Sequence, residues 1–143
     1  MTDAGRLARP TLRQRHGSAA ERLVARHLVA LGWTVLAAGV RLGRDEIDIV
    51  AIDPGPPPSL VVVEVRSVAS SRFGAPEASV DRGKVVRLYR GLAALRARGR
   101  LPNGEPLPRM PWRVDLFAVE DAPSLGRGLG GPTLRHLKGL EPA

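Results

Sequence analysis

Residues 59–67 read SLVVVEVRS, and this run constrains the fold more than any other part of the chain. Leu60, Val61, Val62 and Val63 occupy both parities of a strand, so neither face is left for water. A strand buried on both sides calls for a sheet with helices packed on it. The same run carries Glu64 and Arg66. An ionised carboxylate in an apolar interior is costly unless a cation compensates it, whether arginine or metal.

The flanking segments supply the other layers. Ser18-Ala19-Ala20-Glu21 has the spacing of a capping box, which predicts a helix starting at Ser18. Ala20, Leu23, Val24, His27, Leu28 and Leu31 follow at helical spacing, and Gly32 is placed to end the helix. Trp33–Val40 and Glu46–Ile52 are predicted strands, the second with Glu46, Asp48 and Val50 on one face. The loop Asp53-Pro54-Gly55-Pro56-Pro57-Pro58 separates it from the third strand, Leu60–Arg66. Residues 68–79 are expected to be irregular or a short edge strand. Asp81 is placed to cap a second helix to about Arg98, with Val85, Leu88, Leu92 and Leu95 inward and Gly99 at its end. A Pro-rich loop then leads to a strand at Trp112–Val119. The order α-β-β-β-α-β describes an α/β fold, a mixed central sheet flanked by helices. Residues 1–16 are expected to be a flexible basic arm, 17–120 the folded domain and 121–143 a Gly/Pro-rich tail, with no structure assigned to its PTLRHLKGL segment.

Composition narrows the function classes. Apolar residues make up 43% of the 143, enough for a core, while aromatics at 3% leave that core to Leu, Val, Ile and Ala. The absence of cysteine excludes disulfides and Cys-zinc sites. No apolar run approaches the ~20 residues needed to cross a bilayer, and the basic N-terminal stretch lacks the apolar centre of a secretory signal. A cytoplasmic protein without membrane association is expected.

The net charge of +8 favours polyanionic partners. Twenty of the 22 basic residues are Arg, however, and only Lys84 and Lys138 are Lys. A G+C-rich genome imposes that composition on many proteins. The ordering of charge is more telling: residues 1–44 carry +6, 45–66 carry −4, 67–113 carry +7 and the rest −1. An acidic centre lies between two basic flanks.

The acids at that centre are Asp48 and Glu64, each set between apolar residues, with Glu21 on the first helix. The second and third strands, joined by a short loop, are expected to be antiparallel neighbours, which would set Asp48 beside Glu64. Two adjacent carboxylates repel, and a divalent cation relieves the repulsion. Mg²⁺ or Mn²⁺ with carboxylate ligands polarises a phosphodiester and supplies hydroxide. Arg66 shares the strand parity of Glu64.

Taken in order, the runs GRDEIDIVAID, LVVVEVRS, FGAPEASVDRGKVVRL and WRVDLFAV resemble the YraN family, over about Gly17 to Leu137. The family's helix glutamate falls on Glu21, and its G-E-I-D-L strand on Glu46-Ile47-Asp48-Ile49. Its V-E-V-K falls on Val63-Glu64-Val65-Arg66, its F-G-x-P on Phe73-Gly74-Ala75-Pro76, its downstream lysine on Lys84, and its R-F-D strand on Arg113-Val114-Asp115. The resemblance implies the restriction-endonuclease-like fold and a likeness to Holliday-junction resolvases. It also implies a PD-(D/E)xK site with Asp48 and Glu64 as metal ligands and Glu21 as an accessory acid. Three positions depart from the pattern: Arg66 replaces the lysine, Val68 an arginine, and Asp45 a glycine. Arginine stays protonated, so Arg66 is excluded as a base but not as a clamp on phosphate. Lys84 gains nothing from the dipole at a helix start, and serves the site if that helix end abuts the sheet.

Plainer readings compete. The capping box accounts for Glu21. Asp48 pairs with Arg41 or Arg113 in a purely structural alternative. Glu64 and Arg66 form an ion pair in another, although same-face strand neighbours sit ~7 Å apart along the backbone. Asp115 is expected to be structural and His27 a core histidine; His16 and His136 have no metal-ligand spacing. The arginines of residues 82–100 form a solvated helix face or track phosphates.

Three functions remain. The first is a nucleic-acid-binding protein, with DNA its foremost partner, that hydrolyses phosphodiesters in a metal-dependent way. In this reading Asp48, Glu64, Arg66 and Lys84 are catalytic, Glu21, Asp48 and Glu64 hold Mg²⁺ or Mn²⁺, and Arg41, Arg66, Lys84 and Arg87 meet the phosphates. Junction cleavage would favour a homodimer. The second is a binding module that has lost cleavage with its lysine. The third is a protein–protein adaptor whose arginines only solubilise it.

Overall fold

A computed structural model describes residues 12–68, 82–120 and 132–141. Its elements are α1 (Leu12–Ala30), β1 (Thr34–Leu42), β2 (Asp45–Asp53), β3 (Ser59–Val68), α2 (Arg82–Arg98), β4 (Trp112–Glu120) and β5 (Thr133–Leu137). The five strands form one sheet in chain order. β1–β2, β2–β3 and β4–β5 pair antiparallel, and β3–β4 pair parallel across the α2 crossover.

β3 lies at the centre, and Leu60 to Val63 are fully buried. Leu60 and Val62 pack with Leu88, Leu92 and Leu95 of α2. Val61 and Val63 pack with Ala20, Val24 and Leu28 of α1. The apolar run is thus covered by one helix on each face. Burying each such side chain is worth roughly 1.5–3 kcal/mol.

α1 starts at Leu12, ahead of the expected Ser18, so Ser-x-x-Glu lies within the helix and Glu21 does not cap it. Its C-terminal end matches expectation. Gly32 takes φ of 91°, Gly32 N–H donates to the Val29 carbonyl, and Trp33 N–H donates to Leu28 at 2.9 Å. This pair of bonds is a Schellman motif, and it is accompanied by burial of Trp33 and Leu28 in one cluster. Leu31 falls after the helix and is exposed. In α2 the predicted residues Val85, Leu88, Leu92 and Leu95 are buried, together with Gly91. Of residues 68–79, Val68 is the last residue of β3, and the rest, with Phe73-Gly74-Ala75-Pro76 and the expected Asp81 cap, lie outside the described residues.

The C-terminal segment adds a strand that local pattern did not reveal. β5 pairs with β4 from Leu116↔Leu137 to Glu120↔Thr133. Asp115, fully buried on β4, fastens β5 and the residues after it. It accepts hydrogen bonds from Arg113 at 2.8 and 2.9 Å and from Gly139 N–H at 3.0 Å, and it contacts His136 Nε2 at 2.7 Å. His136 stacks on Phe117 at 4.1 Å between centroids. Asp115 is structural, as expected, and His136 is its partner. His27 is only half-buried, edge-on to Phe117.

Candidate active site

The site begins where two paired strands part. β2 and β3 pair from Asp53↔Ser59 to Ile49↔Val63 and no further. β2 stays paired to β1 as far as Leu42↔Asp45, and β3 stays paired to β4 as far as Val68↔Glu120. A fork therefore opens in the middle of the sheet. Gly39, between the Ala38↔Ile49 and Val40↔Ile47 pairs, takes φ of 61°, a conformation that suits glycine. Across from it the alternation of β2 slips. Ile47 and Val50 both pack on the α2 side, whereas Ile49 and Ala51 pack on the α1 side. Asp48 and Val50, expected on one face, are thus separated.

Asp48 fills the fork. Its Oδ2 accepts a hydrogen bond from Val65 N–H at 2.8 Å, where a β2 carbonyl would have sat had pairing continued. Burial and the adjacent Glu64 charge push its carboxyl up to about 8, against the opposing Val65 N–H; the two carboxyls are hydrogen-bonded, and Glu21 adds to the rise. Glu21, on α1, is raised as well, by burial and then by Glu46 and Glu64. Oxygens of Glu21, Glu46 and Asp48 lie within 4.8 Å of one another. Four carboxylates from one helix and two strands meet here.

Cations line the other side. Lys84 Nζ lies 3.1 Å from Glu64 Oε2, and Arg66 Nε lies 3.5 Å from the same oxygen. The Glu64–Arg66 contact that strand spacing argued against is therefore made, because the arginine side chain bends back along β3. Arg66 Nε is a buried nitrogen without a hydrogen-bond partner among the described residues. A cavity of about 250 Å³ opens over Glu46, Asp48, Glu64, Lys84, Arg44 and Arg87.

Most of the predicted site residues gather here. Asp48, Glu64, Arg66 and Lys84 come together, with Glu21 against Asp48 on the α1 side. Arg87 lines the cavity, while Arg41 is largely exposed and reaches Glu46 at 3.6 Å. Arg113, considered as a partner for Asp48, pairs instead with Asp53 and Asp115. Glu46 is the acid that sequence reasoning left out of the metal set. Its position two residues from Asp48 on the same strand was the available signal.

The donor set suits a hard divalent cation. Every candidate ligand is a carboxylate oxygen, the acids repel one another, and the cavity has room for water beside them. The fold and site together define a restriction-endonuclease-like α/β core with an acidic centre at the fork of its sheet.

The chain belongs to the uncharacterised protein family UPF0102, the YraN family, whose model matches residues 20–119. It is 37% identical to a UPF0102 protein of Pseudarthrobacter chlorophenolicus over 127 residues, 88% of this chain and 83% of that one. Similar relatives occur in Symbiobacterium thermophilum (38% over 110 residues, 77% and 86% of the two chains) and Chlorobaculum tepidum (38% over 122, 85% and 88%). Among the described residues, no helix is long and apolar enough to cross a membrane.

Proposed function

We propose that this protein binds DNA in the cytoplasm and hydrolyses its phosphodiester bonds in a reaction dependent on Mg²⁺ or Mn²⁺. One observation carries the reading: Glu21, Glu46, Asp48 and Glu64 converge at the fork with Lys84 and Arg66 against them. A divalent ion held by these acids would polarise a phosphate oxygen and lower the pKa of a bound water. Asp48 and Glu46 would hold the ion, with Glu21 behind them. Glu64 is shared between the acids and Lys84, which gives it the task of orienting the lysine as well as adding negative charge. Lys84 takes the place of the motif lysine, near enough to the acids to position an attacking water or to meet charge developing on the phosphate. Arg66 stays protonated; its Nε is buried against Glu64, and the rest of its partly exposed guanidinium would meet a phosphate oxygen.

A nuclease panel with Mg²⁺ and with Mn²⁺ tests this on duplex, single-stranded and four-way DNA. Cleavage is expected in the parent and lost in Asp48→Asn. Activity that survives Asp48→Asn would come from a contaminant. The second reading, a binding module without cleavage, is favoured by arginine at position 66. It expects cleavage to appear only in Arg66→Lys. Cutting both strands of a junction would further call for a homodimer.

A further inference from the structure

A second cavity, of about 670 Å³, opens beside the acidic one and shares Arg44, Asp45 and Arg87 with it. Arg82 and Arg90 of α2 complete a ring of four guanidinium groups, and Val86 lies among them, half-exposed. Arg90 is held by Asp45 in a bidentate pair at 2.7 and 2.9 Å. Arg44, Arg82 and Arg87 are exposed. Four cations around one opening repel one another, and a single carboxylate offsets only part of that repulsion.

Arg82, Val86 and Arg90 recur every fourth residue and so form one ridge of α2. The ridge spans about 12 Å at a rise of 1.5 Å per residue. A nucleic-acid strand advances about 3.4 Å per phosphate, so the ridge covers several steps. Guanidinium groups suit phosphate oxygens through paired N–H bonds, and an apolar valine between them suits the face of a sugar.

Resting on the reading of the acidic site as a phosphodiesterase centre, we infer that this second cavity seats the DNA phosphates next to the one presented to the acids. Arg44, Arg82 and Arg87 are the contacts. Asp45 limits the strength of the seat by holding Arg90. The consequence is a track that leaves the acidic centre along α2.

Anisotropy of labelled duplex and single-stranded DNA, titrated against salt with Ca²⁺ replacing Mg²⁺, tests the inference. Each of Arg44→Ala and Arg82→Ala should flatten the slope of log K against log[salt] by roughly 0.9 on duplex and roughly 0.7 on single-stranded DNA. Arg82→Lys should keep the parent slope, and Asp45→Asn, which frees Arg90, should steepen it. Arg109→Ala, in a groove elsewhere lined by Pro108 and Trp112, should change nothing. If the parent binds and Arg44→Ala and Arg82→Ala retain its slope, the seat is refuted while the acidic-centre reading stands. If the parent shows no salt-dependent binding to either DNA, both fall.

Discussion

The ammonium of Lys84 lies 3.1 Å from Oε2 of Glu64, which is 5% exposed and carries Arg66 on the same oxygen. This contact joins α2 to the central strand across the crossover between β3 and β4. Because Arg66 remains, removing Lys84 leaves Glu64 only partly compensated. Lys84→Ala should cost about 1–3 kcal/mol, less than the loss of a sole buried partner, and should lower cleavage by about 10²-fold or more. Lys84→Arg should restore stability by denaturant titration but not turnover. Full turnover in Lys84→Arg would reduce Lys84 to a structural cation.

Asp48 predicts an unusual pH dependence. Its carboxyl ordinarily titrates near 3.8 and is pushed up to about 8 in the fold. The folded state thus holds the proton more tightly than the unfolded chain. The stability this confers is fully present below about 4 and is lost as pH rises through about 8. In metal-free protein, Tm should fall across that window. Asp48→Asn keeps an oxygen to accept from Val65 N–H and carries no charge, so it should flatten the fall and exceed the parent in Tm at pH 9. A parent whose Tm is level from pH 5 to 9 would contradict the arrangement.

A bound divalent ion should reverse that penalty. At one hundred times its dissociation constant, Mg²⁺ or Mn²⁺ should add about 2.7 kcal/mol, on the order of 10 °C in Tm for a domain of this size. Proton competition at Asp48 should make affinity rise with pH. Glu46→Gln and Glu21→Gln should each weaken binding in isothermal titration with Mn²⁺. Parent-like affinity in Glu46→Gln would remove Glu46 from the ligand set.

Asp115 has the opposite sign. Burial alone would raise its carboxyl, but hydrogen bonds from His136, Arg113 and Gly139 N–H hold it below the usual range. Its contribution is present above about 4 and is lost as pH falls further. Asp115→Ala should cost about 3–5 kcal/mol, since Arg113, His136 and Gly139 N–H all lose their shared buried acceptor. It should also raise hydrogen exchange at Gly139 and Leu140, whose N–H groups bond to Asp115 and to the Val114 carbonyl. Unchanged protection there would show that β5 pairing alone anchors the segment.

Several features were legible because they are local. The unbroken Leu60–Val63 run required two covering layers. The Val85, Leu88, Leu92 and Leu95 stripe gave α2 its inward face, and Gly32 gave α1 its end. Local signals also misled. The Ser-x-x-Glu spacing suggested a helix boundary, yet the helix runs through it and through Gly17. A helix-interior glycine costs only about 1 kcal/mol, which a packed apolar stripe outweighs. β5 is five residues long, and its anchors, Phe117 and Asp115, lie on another strand.

From the order of residues alone come the doubly buried strand, the two amphipathic helices and the presence of Asp48 and Glu64 where water is scarce, since periodicity and polarity are properties of neighbours in the chain. Which acids meet, and with which cation, was settled by the tertiary fold. The end of β2–β3 pairing at Ile49↔Val63 opens the fork, where Glu46 and Asp48 meet Glu21 and Glu64 meets Lys84. Those distances depend on how a helix and two strands from separate parts of the chain are packed, and no local pattern encodes them.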